Sequence, residues 1–156
     1  MSTVKVIQTA IQTAYAAISL PNGLGAPTSA LVEPDGGIPS VPYVVVYRGR
    51  AVNITHLNGG SYQIQREYFA RLFTAKFTSD TPSAIETKLE NAADCIEAVE
   101  DYFMLSDDRL NRTKAVTQSI VSADTADTVL EDRNNDTFAG VTFRHLVTYT
   151  RTTSTT

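Results

Sequence analysis

The segment 82–105 carries the most regular apolar pattern in the chain and restricts the fold more than any other feature. Its apolar side chains recur at alternating spacings of four and three, the pattern of one buried helix face: Ile85, Leu89, Ala92, Ile96, Val99 and Phe103. Thr81 is suited to cap this helix, and Pro82 fits its first position because proline needs no amide partner there. The pattern therefore predicts a long amphipathic helix that a second layer of structure must cover.

A second amphipathic helix is predicted at 3–20, where one apolar stripe is formed by Val4, Ile7, Ile11, Ala14 and Ile18. Pro21 and the following Asn22-Gly23 are expected to end it. The stretch superficially resembles a signal peptide, but glutamines and threonines interrupt its apolar residues, so we interpret it as part of the mature fold. No run of about 18 apolar residues occurs, and the sequence therefore predicts a soluble protein without a spanning helix.

Four segments are rich in β-branched and aromatic residues and are predicted to be strands: 43–48, 61–78, 113–121 and 137–151. The second also fits a helix because its phenylalanines are spaced by four, but its aromatic content and flanking turns favour a strand. A flexible turn is expected at 49–60, which ends in Asn58-Gly59-Gly60. The segment 21–42 holds five of the six prolines and is predicted to be a long loop: a structured excursion, an arm reaching a neighbour or a floppy insertion.

This order of elements predicts an α+β fold in which a mainly antiparallel sheet carries both amphipathic helices packed on one face. With 156 residues, 42% of them apolar, the chain is long enough to form a single domain over 1–156 with an ordinary core. The tail 152–156 is expected to be frayed. The single cysteine, Cys95, excludes an internal disulfide and a cysteine-based zinc site, and it fits synthesis in a reducing cytoplasm.

The chemically reactive residues form no recognisable catalytic, metal or cofactor site, so the sequence predicts a protein that is not an enzyme and holds no cofactor. The only histidines are His56, in a glycine-bounded segment, and His145, which lies on an apolar strand face and is interpreted as structural. A Cys95–His145 pair is a weaker alternative, because a thiol in the middle of a helix is usually inert. No phosphate-binding glycine loop occurs. The acidic segment 124–136 lacks the glycine and final glutamate of an EF-hand, which favours a solvated loop over a calcium site.

An acidic stripe follows the 82–105 helix one position round from its apolar stripe: Glu86, Glu90, Asp94, Glu97 and Asp101. Like charges at such spacings cost about 0.2–0.5 kcal/mol each in an isolated helix. Lys88 stands at no position that would bridge two of them. Two interpretations stay open, an ordinary solvated face and a surface that faces either a basic partner or a polyanion that must not stick.

Charge is distributed unevenly along the chain. Residues 1–78 hold six basic and three acidic residues, a net +3, whereas residues 79–156 hold seven basic and fourteen acidic residues, a net −7. The total of −4 argues against tight nucleic-acid binding, which needs a basic surface. If the halves separate in space, the molecule has two ends of opposite potential, which suits oriented protein–protein contacts; if they interleave, the asymmetry averages out.

The order of elements resembles the tail terminator proteins of long-tailed bacteriophages and the related tail-completion and neck proteins, which are short α+β domains. Four segments carry the resemblance: the opening helix VIQTAIQTAYAAI, the strand YVVVYRG ahead of a turn, the helix IETKLENAADCIEAVEDYF and the closing strand FAGVTFRHLVTYT. In the last of these a glycine precedes alternating apolar residues. The long segment 21–42 departs from the family pattern.

The resemblance implies a virion structural protein of the tail–head junction, made in the cytoplasm of the host bacterium. It implies a homo-hexameric ring that caps the major tail tube protein, ends tail polymerisation and contacts the head connector, without membrane contact. DNA would pass through the lumen without specific binding. In such a ring the acidic stripe is expected to line the lumen, while Arg50, Asn53 and His56 are expected to contact the tail tube. The alternatives are a head-completion or connector protein of the neck, and a small α+β ligand-binding domain or enzyme whose site the sequence does not reveal.

Overall fold

The secondary structure forms one six-stranded sheet and two long helices. The computed structural model describes residues 2–105, 110, 116–123 and 128–153. The helices are α1 Thr3–Ala16 and α2 Pro82–Met104, and a 3-10 turn occupies Asn58–Gly60. The strands are β1 Thr28–Ala30, β2 Tyr43–His56, β3 Ser61–Lys76, β4 Val116–Ala123, β5 Val129–Glu131 and β6 Thr137–Thr152.

The strands lie in the order β1-β2-β3-β6-β4, with β5 also pairing with β6. Only the β1–β2 pair is parallel, and all other pairs are antiparallel. Side chains of α1 and α2 share one apolar cluster with alternate residues of β2, β3 and β6, so both helices cover the same face of the sheet. The predicted fold class, α+β with a mainly antiparallel sheet, is confirmed.

Both helices begin at side-chain caps and bury the predicted stripes with small differences. The Thr81 Oγ1 accepts the N–H of Ala84 at 3.3 Å, and Pro82 is the first residue of α2. Ile85 at the start of α2 is 38% exposed, while Cys95 is fully buried in the core. Helix α1 ends at Ala16, four residues before the predicted end.

The long hairpin of β2 and β3 differs most from the sequence-based prediction. The segment 61–78 is a strand over Ser61–Lys76, as predicted in preference to a helix. The predicted flexible turn at 49–60 is wrong, because β2 continues to His56 and only residues 57–60 form the turn. The pairing shifts register around Ala51, and a side chain at Gly49 would meet the Glu67 carbonyl oxygen at 2.6 Å. The glycine therefore permits a bulge within the strand instead of ending it.

The segment 21–42 is a structured excursion that packs on its own fold. It contains β1, and its Glu33 carboxylate is 5% exposed and accepts the N–H of Arg133 at 2.8 Å. Side chains of Arg71 and Arg133 form ion pairs with the same carboxylate. With Ile38 and Ala30, the excursion covers part of the sheet face opposite the helices.

Asp132 ties this excursion to the turn before β6. Its carboxylate accepts three backbone N–H groups, from Ile38 at 2.9 Å, Asn134 at 2.9 Å and Asp136 at 3.0 Å. Burial alone would raise the pKa of Asp132, but these N–H donors outweigh it and hold the pKa below its usual value. Within the acidic segment 124–136, the Asp132 carboxylate is thus hydrogen-bonded to backbone N–H groups of the same segment. Residues 124–127 lie outside the described residues.

We expect Asp132→Asn to lower the free energy of unfolding by about 1–2 kcal/mol, because its NH₂ group would oppose N–H donors that need an acceptor. Urea unfolding followed by circular dichroism measures the change. The matched control is Asp35→Asn, since the Asp35 side chain is fully exposed and forms, within the described residues, a single ion pair with Arg133. Equal effects of the two substitutions would contradict the role assigned to Asp132.

Strands β4 and β6 lie where the sequence predicts strands, at 113–121 and 137–151, but their ends are shifted. Strand β4 runs over Val116–Ala123, and residues 113–115 lie outside the described residues. Strand β6 reaches Thr152, and the Thr153 N–H donates to the Gly60 carbonyl at 2.9 Å. These two residues are therefore held by the hairpin turn instead of fraying, and residues 154–156 lie outside the described residues.

Candidate assembly surfaces

The acidic stripe lies on the solvent side of α2. All five carboxylates are exposed, and the opposite side of the helix buries Ala92, Cys95, Val99 and Phe103. Asp94 accepts a hydrogen bond from the Asn22 amide at 2.9 Å. Within the described part of the chain, no stripe residue forms an ion pair, so the negative charge of this face is not neutralised.

The one cation of α2, Lys88, pairs with groups outside the acidic stripe. Its ammonium group donates to the Asp80 carboxylate and to the Lys76 carbonyl, both at 2.8 Å. The lysine thus fastens the start of α2 to the end of β3. The whole of α2 carries six acidic residues and one lysine, since Glu100 adds to the stripe.

The three residues predicted to contact the tail tube all lie on β2, but the structure does not bring them together on one face. The Arg50 guanidinium lies 3.9 Å from the Glu67 carboxylate, and its side chain is 83% exposed. Asn53 pairs with Gln65, on the sheet face opposite the helices. His56 pairs with Tyr62 on the helix side, where the two rings meet edge-on at 5.0 Å. The expected contact loop is therefore part of a β-ribbon, and its three residues are divided between the two faces.

We call residues 48–68, the end of the β2–β3 hairpin that carries the turn, the β arm. Helix α1 covers its base, where the hydroxyl of the buried Tyr68 donates to the Val4 carbonyl at 3.1 Å. Residues 52–56 are all exposed, including Val52 at 38% and Ile54 at 61%. Leu57 in the turn is 37% exposed. The only acidic residue of the arm is Glu67, and its carboxylate already accepts two hydrogen bonds from Arg144, at 2.8 and 3.1 Å.

The face of the arm opposite the helices bears a shallow pocket of uncharged polar side chains. Amides and hydroxyls from four strands line it: Asn53, Thr55, Gln63, Gln65, Gln118 and Thr148. Such groups offer hydrogen bonds but no charge. The sequence does not predict this pocket, because Asn53 and Thr55 are known to share a face only once β2 is known to continue beyond Gly49.

The residues considered for nucleophilic chemistry are buried, and each is hydrogen-bonded to a different group. The Cys95 thiol donates to the Asn91 carbonyl, and burial, with a smaller contribution from Asp94, raises its pKa to about 11. The His145 Nε2 bonds instead with the Tyr15 hydroxyl at 2.5 Å. A thiol with a raised pKa and no histidine partner is a poor nucleophile.

His145 is a core residue, as its place in the strand predicts. It is fully buried between Tyr15 and Phe103, and burial lowers its pKa to about 3. Burial also raises the pKa of Tyr15 well above its usual value, so the pair stays uncharged. Among the described residues, the His145 Nδ1 has no hydrogen-bond partner. Residue spacing does not predict this pair, because Tyr15 lies 130 positions away in the chain.

The described residues contain no group of three or more His, Cys, Asp or Glu side chains placed to hold a metal ion. Neither of the described helices combines the length and apolar content needed to cross a bilayer. Comparison of the sequence with models of known protein families and with curated proteins found no match.

Proposed function

We propose that this protein is a virion structural protein of the tail–head junction of a long-tailed bacteriophage. It forms a ring, hexameric in the family that it resembles, which caps the tail tube, ends tail polymerisation and receives the head connector. One observation carries the proposal: α2 presents five exposed carboxylates that form no ion pair within the described chain, whereas the β arm carries three arginines and one acidic residue. Surfaces of this kind gain stability when another protein supplies the counter-charge.

The proposal assigns no catalytic role to the chain. Its buried thiol and imidazole lie in the apolar core, where substrate has no access to them. The protein acts by shape and contact, with the tail tube on one side of the ring and the connector on the other. Its place of synthesis under the proposal is the cytoplasm of the host bacterium, and its final place is the virion.

Co-assembly with the tail tube protein of the same phage tests this function. We expect the purified protein to co-sediment with finished tubes, to appear at tube ends in negative-stain images, and to stop further elongation when added to growing tubes. Binding to the connector but not to tubes would instead indicate a head-side neck protein. A protein that binds neither and remains monomeric would contradict both assembly roles and favour a ligand-binding domain.

The resemblance places the acidic stripe in the lumen, and this placement has its own test. The variant Glu90→Gln/Asp94→Asn/Glu97→Gln removes three charges while nearly preserving size. A stripe that lines the lumen predicts intact rings and reduced infectivity, because DNA would stick to the wall. A stripe that contacts a neighbouring copy predicts weaker rings instead. Native mass spectrometry of the variant, beside an infectivity assay, separates the two.

A further inference from the structure

The β arm is a cationic projection in which only one of the three arginines, Arg50, has an acidic partner among the described residues. Arg48 on the arm and Arg151 on the adjoining end of β6 are both exposed. Arg66 donates only to the uncharged Tyr149 hydroxyl and the Gly49 carbonyl. No acidic residue occurs between Asp35 and Glu67. The charge of this end of the molecule is thus free to attract an anionic surface.

The β arm also exposes apolar side chains. These distinguish a protein-binding surface from a charged hairpin end that contacts only solvent. Ile54 is 61% exposed, and it lies on the helix side of the sheet because it pairs with the core residue Ile64. Arg48 and Arg151 lie on that side too, opposite Tyr68 and Tyr62 of β3. Exposed apolar groups between positive charges are typical of protein interfaces with an apolar centre and a polar rim.

We infer that the helix-side face of the β arm docks on the acidic stripe of α2 in a second copy of this chain. This inference rests on the proposed ring and names the surfaces that close it. The stripe is the complementary surface in charge: it is exposed, and ion pairs within the described chain leave it unneutralised. A contact between two different surfaces of identical chains is head-to-tail, which is the type that generates rings.

The two surfaces also match in length. Arg48 and Arg151 stand opposite residues six positions apart on β3, a span of about 20 Å at about 3.4 Å per residue. The stripe from Glu86 to Asp101 covers fifteen positions of helix, or about 22 Å at about 1.5 Å per residue. The arm therefore reaches along the whole stripe instead of touching a single carboxylate.

Charge reversal on each surface separately tests the contact. The arm variant is Arg48→Glu/Arg151→Glu, and the helix variant is Glu86→Lys/Glu90→Lys/Glu97→Lys, which changes the net charge of the five stripe residues from −5 to +1. Within the described part of the chain, none of these five side chains forms a hydrogen bond or an ion pair. We expect each variant alone to associate about tenfold or more weakly than the unmodified chain, because like charges then face each other. Analytical ultracentrifugation and native mass spectrometry measure the association.

A mixture of the arm variant and the helix variant gives the decisive result. In an equimolar mixture every contact in an alternating ring joins opposite charges, so rings should return with equal numbers of the two variants. A single chain with all five substitutions should also form rings. The matched control, Lys5→Glu/Glu131→Lys, reverses exposed charges outside both surfaces and should associate as the unmodified chain does.

Three outcomes would overturn the inference: rings formed normally by either variant alone, no rescue in the mixture, or an unmodified chain that stays monomeric. Thermal unfolding of each variant confirms that its fold is intact. The tube experiment of the previous section decides the proposed function independently, since a chain that binds tubes through another surface would keep that function while failing this test.

Discussion

Replacing Gly140 by alanine should lower the free energy of unfolding by about 3 kcal/mol, at the upper end of the range for overpacked positions. Gly140 lies in β6 opposite Phe73 of β3. An added Cβ would stand 2.2 Å from the Leu72 carbonyl oxygen and 2.7 Å from the Leu130 Cδ1. The carbonyl belongs to the central strand of the sheet, so it can move away only by distorting the backbone pairing on both sides of β3.

Urea unfolding of Gly140→Ala measures this effect. The control is Gly36→Ala, because a Cβ at Gly36 meets no atom within 4 Å and Gly36 does not have a positive φ. That substitution should change the free energy of unfolding by no more than about 0.5 kcal/mol. If the two alanine variants unfold at the same urea concentration, the close approach of β6 to β3 is not what requires glycine at 140.

Gly140 also illustrates which parts of the fold the sequence can predict. Helix α2 was predictable because its 3-4 apolar pattern, its cap at Thr81 and Pro82 all lie within one local segment. The need for glycine at 140 depends on Leu72 and Leu130, which only the folded sheet brings near. The hydrogen bond from the Ile38 N–H to the Asp132 carboxylate is likewise not predictable from local sequence, because the two residues lie 94 positions apart.

The two candidate surfaces also differ in how far the sequence predicts them. The acidic stripe follows from residue spacing alone, since a helix fixes which side chains share a face. The β arm is not predictable in this way, because Gly49 indicates the end of a strand when the bulge and the partner strand are unknown. Without the register of β2, β3 and β6, nothing indicates that Arg48, Ile54 and Arg151 lie on one face.

Acidification should destabilise the protein through His145 well before its carboxylates are protonated. The folded protein holds the imidazole neutral because burial lowers its pKa to about 3, whereas an unfolded histidine has a pKa of about 6.5. Between these values the unfolded chain binds the additional proton, so stability falls as the pH falls. The contribution is complete above about pH 6.5 and decreases by up to about 1.4 kcal/mol for each pH unit below it.

The variant Tyr15→Phe/His145→Leu isolates this effect, because it replaces both hydrogen-bonding partners with apolar groups of similar size and leaves every carboxylate in place. Removing both partners of a buried hydrogen bond is nearly neutral for stability at pH 7, whereas removing one would leave a buried polar group unsatisfied. Urea unfolding at several values between about pH 6.5 and 4.5 should therefore give a steep loss for the unmodified chain and a shallow one for the variant. Parallel pH profiles would show that His145 is not the titrating group. The orphaned Nδ1 supports the expected direction, because protonation would place a charge and a second N–H where the described core offers no acceptor.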